Sequence, residues 1–144
     1  MWDTVKNICL FLIISFLLSL GSIVLESSFL NNFINNSLIT ILITLLAINI
    51  TTSGILLTRL TELSLKFPEI NLKIVTNSLH KAFLEQVILI IVSIIFLVLK
   101  DSTVIENSYK YHELTFNTLL TGVLFDSLSV LIDLGKSIFK IFKQ

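Results

Sequence analysis

Residues 37–62 read SLITILITLLAINITTSGILLTRLTE and decide the fold, because no charged residue interrupts them before Arg59. A run of about twenty such residues is long enough to cross a bilayer as one helix. Small and hydroxyl residues recur in it at steps of three or four, which places them on one stripe: Thr40, Thr44, Ala47, Thr51, Gly54 and Thr58, with Glu62 after them. Such a stripe predicts close packing against another helix.

A second polar group lies roughly opposite that stripe on the same helix and consists of Asn49, Thr52 and Ser53. A membrane helix with polar residues on two sides is expected to be contacted on both. The sequence therefore predicts that residues 37–62 form the inner helix of a bundle, with a second subunit as an additional neighbour.

The composition of the whole chain indicates a membrane protein. The 144 residues are 54% hydrophobic and 14% charged, and the mean hydropathy is +0.94, which leaves too little polar surface for a soluble domain. Lys plus Arg and Asp plus Glu number ten each, and no basic patch alternates with aromatics, so nucleic acid is not expected as a partner. The single Cys9 excludes an intrachain disulfide and a cysteine metal cluster.

The predicted fold is all-α: one polytopic domain over residues 1–144 with four membrane-spanning helices at about 8–26, 37–66, 72–100 and 114–142. The first apolar run exceeds a signal-peptide core and no A-x-A site follows it. Residues 27–36 contain four Asn and predict a turn. The second and third helices are predicted to extend past the membrane as a hairpin with its tip at 67–71.

Small polar residues also form a stripe on the first predicted span. Ser15, Ser19 and Ser22 follow one another at steps of four and three. We expect this stripe to pack against the one formed by Thr40, Thr44 and their neighbours on the second span.

Basic residues predict the orientation. With the N-terminus inside, eight Lys or Arg are cytoplasmic and two are outside, which favours both termini and the hairpin in the cytoplasm of a bacterial inner membrane. Six of the eight are candidates for contact with lipid headgroups or a cytoplasmic protein partner: Arg59, Lys66, Lys73, Lys136, Lys140 and Lys143.

The last span carries the strongest chemical signal. Asp126, Ser129 and Asp133 lie on one polar stripe, and Asp126 falls near the bilayer midplane, where a carboxylate costs at least ~2.5–3.5 kcal/mol. Three arrangements avoid the cost of a carboxylate in lipid: a protonated carboxyl bonded to hydroxyls, a water-filled path, or a helix lying along the interface. With Glu85 on the third span, these residues are the candidate pore or gating set. The alternative for Glu85 is an interfacial position or an ion pair with Arg59 or Lys81.

No enzyme motif is present, and no cofactor or metal site is expected. His112 beside Glu113 has no second His nearby. The two aspartates Asp126 and Asp133 are two helical turns apart, roughly 10 Å, which is too far for an aspartyl pair.

The segment SLITILITLLAINITTSGILLTRLTELSLKF, residues 37–67, together with the chain length and the four spans, resembles small four-helix antiphage membrane proteins. These are the RexB-like phage-exclusion proteins and the membrane subunits of Kiwa-type defence systems. The resemblance implies an ion-conducting effector, or a membrane sensor that signals to a cytoplasmic partner.

The function expected is therefore a small oligomeric channel or membrane sensor in bacterial antiphage defence. Two alternatives stay open: a membrane interaction protein, such as a bacteriocin immunity protein that blocks a pore former, and a phage holin. In the immunity alternative, the polar stripes are docking surfaces for the toxin.

Overall fold

The computed structural model describes residues 2–66, 72–108 and 111–141, which contain helices and turns and no strand. The five helices are α1 Trp2–Val24, α2 Phe29–Lys66, α3 Leu72–Lys100, α4 Thr103–Ser108 and α5 His112–Ile141. All but α4 are long and apolar enough to cross a membrane. The prediction of an all-α chain with four helices of this kind is confirmed, and the fourth predicted span is α5.

Helix α5 packs extensively against each of α1, α2 and α3. Helices α1 and α2 make few contacts with each other. On one side of the bundle the core consists of Leu120 and three residues of α2, Ile34, Leu38 and Leu42. A second cluster, closer to the Lys66 end of α2, contains Leu56, Leu79, Ala82 and Leu134. The central position predicted for α2 therefore belongs to α5.

The turn predicted over residues 27–36 is wrong, because α2 begins at Phe29. Ile34 and Leu38 are buried and continue the four-residue step of Leu42, so this end of the helix has its own core contacts. Asn31 and Asn35, one turn apart, accept hydrogen bonds from Lys100 of α3. Tertiary contacts thus outweigh the low helix propensity of asparagine.

The turn that joins α1 to α2 occupies only residues 25–28. Glu26 has a positive φ of 50°, and its N–H donates to Ile23 O at 3.0 Å, while Ser27 N–H donates to Ser22 O at 2.8 Å. This is the hydrogen-bond pattern of a Schellman motif, in which a left-handed residue ends the helix. Ser27 Oγ then accepts from Phe29 N at 3.3 Å in the first turn of α2.

We predict that Glu26→Gly stabilises the protein. A left-handed conformation costs an L-residue about 1–2 kcal/mol, whereas glycine adopts it freely. After the entropy that glycine gains in the unfolded chain is subtracted, we expect an increase of roughly 2 °C in the melting temperature in detergent. The control is Glu26→Ala, which removes the carboxyl and keeps Cβ; an equal increase for Ala would show that charge, and not φ, is responsible.

The small-residue stripes of α1 and α2 do not pack together as predicted. Ser15 and Ser19 are buried, and Ser15 lies against Gly122 of α5. The six residues of the α2 stripe, Thr40 to Thr58, are all exposed. The face of α2 that enters the bundle carries Asn49, because this amide finds polar partners on α3.

Candidate functional site

A buried chain of polar side chains links α2, α3 and α5. Ser53 Oγ donates to Asn49 Oδ1 at 3.2 Å, Asn49 Nδ2 donates to Gln86 Oε1 at 2.7 Å, and Gln86 Nε2 donates to Ser127 Oγ at 3.2 Å. Asn49, Gln86 and Ser127 are each at most 1% exposed. The network fixes the depth and rotation of three helices whose other contacts are largely aliphatic.

A cleft of about 220 Å³ lies beside this network, between α1, α3 and α5. All four residues that the sequence analysis selected as pore or gating candidates line it: Glu85, Asp126, Ser129 and Asp133. The three from α5 follow one another at steps of three and four, so they share one face. The structure therefore brings the four together; their role in conduction or gating stays a prediction.

The same cleft also contains basic and neutral polar groups. Lys81 and Ser78 of α3 and Asn7 of α1 complete its polar lining. Asp133 pairs with Lys136 across one helical turn, with Nζ 3.2 Å from Oδ1, and both side chains are largely exposed. This end of the bundle therefore presents carboxylates and ammonium groups together.

Asp126 is half-buried and, of the residues that line this cleft, lies deep within the apolar span. It also borders an apolar groove lined by Phe11 and Leu12 of α1 and Leu119 of α5. Asp126 is ten residues from Lys136, the last residue of the apolar span, which corresponds to about 15 Å of helix. The carboxyl is therefore reached from one end of the bundle and lies well inside the span.

Glu85 does not pair with Arg59, which was one of the alternatives. Arg59 Nη1 lies 3.1 Å from Glu62 Oε2 on its own helix, and both side chains are mostly exposed. Glu85 instead lines the cleft with Lys81, the other alternative partner.

A larger polar pocket, of about 510 Å³, opens at the opposite end of the bundle. Lys100 is half-buried there and donates to Asn31 Oδ1 and, at 2.9 Å, to Asn35 Oδ1. Asp101, His112 and Glu113 also line the pocket. In the described part of the chain, no group of three or more His, Cys, Asp or Glu is arranged to hold a metal ion.

The remaining predicted residues are distributed over the surface and the bundle. Ser22 Oγ donates to Ser27 O at 2.7 Å in the α1–α2 turn. Lys73 and Lys136 are exposed. The side chains of Lys66 and Lys140, the predicted hairpin tip and Lys143 lie outside the described residues.

Five buried polar residues of the bundle were not predicted as site or packing residues from the sequence: Gln86, Ser93, Asn117, Thr121 and Ser127. Their spacing contains a signal, because Gln86 and Ser93 are seven residues apart on α3, and Asn117 and Thr121 are four apart on α5. A heptad or four-residue spacing of polar residues inside an apolar span indicates a face turned toward protein.

The fold and site define a class: an all-helical chain with four membrane-length helices, in which apolar core clusters lie beside a chain of buried polar side chains. Comparison with protein-family models, with curated proteins and with solved structures finds no match to this chain. The indications of a function therefore lie in the polar side chains and cavities of the bundle.

We predict that Gln86→Leu destabilises the bundle by about 1–2 kcal/mol, because Asn49 and Ser127 lose their partner in the core. Equilibrium unfolding in detergent measures this. Asn49→Leu is expected to have a similar effect, and the double variant should lose less than the sum of the two, since both remove the same hydrogen bond. Strict additivity of the two losses would contradict an energetic link between Asn49 and Gln86. Exposed Thr51→Val, at nearly the same depth, is the control.

Proposed function

We propose that this chain is a multi-pass protein of a bacterial inner membrane that conducts ions, or senses a trigger, in antiphage defence. The observation that carries the proposal is the cleft in which Asp126, Ser129, Asp133 and Glu85 meet. A carboxylate inside an apolar span normally faces protein or water and marks an ion or proton path. Asp126 meets that description because the cleft leads to it from one end of the bundle.

The excess of Lys and Arg near the N-terminus, the α2–α3 connection and the C-terminus favours these segments in the cytoplasm. In this orientation the Asp126 cleft opens to the cytoplasm and the Lys100 pocket to the outside. Exposed Lys73 and Lys136 then lie on the cytoplasmic side, where they suit anionic headgroups or an acidic face of a protein partner.

We predict that phage challenge depolarises cells that express the protein and that Asp126→Asn weakens this response. Replacing the carboxyl that lies deepest in the span should lower the initial rate of depolarisation by roughly tenfold, the effect of a barrier raised by about 1.4 kcal/mol. The measurement is the fluorescence of a potential-sensitive dye, with and without challenge.

Glu62→Gln is the matched control, because Glu62 is an exposed carboxylate on α2 that pairs with Arg59 and does not line the cleft. If both variants depolarise like the wild type, Asp126 has no part in conduction. If no variant depolarises, and expression protects cells from a pore-forming toxin, the immunity alternative replaces the channel. The exposed polar stripe on α2 is an observation that favours the immunity alternative, because it would be the docking surface for the toxin.

We further propose that the protein forms homo-oligomers through the exposed stripe of α2. Its threonine hydroxyls bond within their own helix, as Thr44 Oγ1 does to Thr40 O at 2.8 Å and Thr51 Oγ1 to Ala47 O at 2.9 Å. A Cβ added at Gly54 would meet no atom within 4 Å. Glycine is therefore not required at this position by the packing of a single chain, whereas a helix of a second copy would benefit from the close approach.

We predict that Gly54→Leu abolishes oligomer formation without unfolding the monomer, because the added side chain fits the monomer and obstructs the approach of a second helix. Chemical cross-linking in membranes and the melting temperature in detergent measure the two effects. Gly135→Leu is the control, since Gly135 also has open space around it but lies on α5. A cross-linked oligomer that persists in Gly54→Leu would place the interface elsewhere.

A further inference from the structure

Ser93 Oγ of α3 is one of five buried polar oxygen atoms that have no hydrogen-bond partner among the described residues, and the other four belong to α1 and α5. They are Ser15 Oγ, Ser19 Oγ, Thr121 Oγ1 and Asn117 Oδ1, and each residue is at most 6% exposed. An unpaired oxygen in a water-free interior costs free energy comparable to a lost hydrogen bond or more.

Several other threonines on the long helices are satisfied by their own backbone. Thr44, Thr58 and Thr118 each donate to the carbonyl four residues earlier, at 2.8–3.0 Å. Thr121 makes no such bond. The buried hydroxyls of Ser15, Ser19 and Thr121, which cannot reach bulk water, are thus the ones without a hydrogen-bond partner in the described residues. This points to a partner that is not part of the chain.

The register of the two helices places these oxygens close together along the bundle axis. The rings of Phe11 and Phe125 stack with centroids 6.2 Å apart, and one turn further along α1 Ser15 lies against Gly122, the neighbour of Thr121. The helices are antiparallel. One more turn therefore brings Ser19 level with residue 118, beside Asn117, so that the four oxygens occupy about two turns.

This group lies between the two polar cavities. Thr121 and Asn117 are one turn apart on α5, and Glu113, which lines the Lys100 pocket, is one turn beyond Asn117. In the other direction, Asp126 follows Gly122 by four residues. From Asp126 to Glu113 the distance along the helix is about 20 Å. Thr121, Thr118 and Asn117 carry polar side chains within it, and the turn 122–125, which carries none of its own, has Ser15 of α1 against Gly122.

We propose that Ser15, Ser19, Asn117 and Thr121 hold internal water molecules, and that this hydrated site connects the Asp126 cleft to the Lys100 pocket as a path for protons. The water site stands on the buried oxygens alone, whereas the proton path rests on the proposed function. A buried water typically makes about three hydrogen bonds to otherwise unsatisfied polar groups, and these oxygens offer such bonds.

Packing and charge favour protons over metal cations as the species that passes. A Cβ on Gly122 would lie only 3.2 Å from Leu12 Cδ2, so α1 and α5 leave little room for a hydrated ion. Three hydroxyls and one amide oxygen carry no net charge to compensate a desolvated Na⁺ or K⁺. A proton needs no such space, because it is relayed along hydrogen bonds between water molecules and hydroxyls.

The first test is water-edited solid-state NMR of the full chain in lipid bilayers, which measures how fast magnetisation passes from water to each residue. We expect Ser15 and Thr121 to receive it as fast as residues of the polar cavities, and far faster than buried Leu38 and Leu42. Transfer to Ser15 and Thr121 as slow as to these leucines would overturn the proposal, whatever the protein conducts.

The second test follows cytoplasmic pH, with a fluorescent reporter, beside membrane potential in phage-challenged cells at an external pH of about 6, below the usual cytoplasmic value. The variants are Ser15→Ala/Ser19→Ala and the near-isosteric Thr121→Val, with Thr61→Val as the control because its hydroxyl is exposed, is bonded to Leu57 O and lies outside the α2 stripe. We expect acidification to accompany depolarisation in the wild type and the control, and to slow by roughly tenfold in the other two.

The outcomes separate this inference from the proposed function. Depolarisation without acidification keeps the channel and overturns the proton path. Acidification that the Ser15, Ser19 and Thr121 substitutions leave unchanged places the path elsewhere. If neither signal changes in the wild type, ion conduction and the proton path both fail and the sensor and immunity alternatives remain; the NMR result alone then decides whether the site holds water. If Thr121→Val is more stable than the wild type and water transfer to Ser15 and Thr121 in the wild type is slow, the Thr121 hydroxyl is dry and unsatisfied and the water site is overturned.

Discussion

The hydrogen bond between the side-chain amides of Asn49 and Gln86 is the constraint on which the other helix contacts depend. Leu and Ile side chains tolerate many rotations and shifts of one helix along another, but a buried amide that misses its partner is costly. Asn35 lies fourteen residues before Asn49, and Lys100 fourteen after Gln86, so the Lys100–Asn35 bond is a second point in the same antiparallel register. The amide pair thereby sets where the Lys100 pocket forms on α2 and α3.

The register also determines how α5 meets α3. Gln86 Nε2 reaches Ser127, and ten residues toward the other end the rings of Phe96 and Phe116 meet edge to face with centroids 6.3 Å apart. With α5 held in this rotation, Asp126 is directed to the neighbouring side, toward α1 and the cleft. The position of the central carboxylate is therefore a consequence of polar and aromatic contacts made by the residues around it.

Four apolar helices were predictable from the sequence because hydropathy and length alone identify membrane-length helices. The direction in which each helix faces was harder to predict, since lipid and protein interior both accept Leu and Ile, and Thr and Ala also occur on an exposed face. Asn49 correctly indicated a face of α2 that is turned toward protein, whereas the exposed Thr44 did not mark a face that packs in the bundle. The start of α2 was missed because Asn31 and Asn35 resemble turn residues until Lys100, far away in sequence, becomes their partner. Glu26 gave no signal of its left-handed conformation, which glycine usually adopts.

The pairing of α1 with α5 has a consequence for how the chain is made. Helix α1 is synthesised before its main partner α5, which begins 88 residues after α1 ends. During synthesis Ser15 and Ser19 have no helix to cover them, and the short turn at residues 25–28 brings α1 only near α2, which it hardly contacts. Long-range contacts of this kind form late and expose an intermediate to wrong partners. Assembly of this bundle is therefore completed only after α5 has been synthesised and closes over α1.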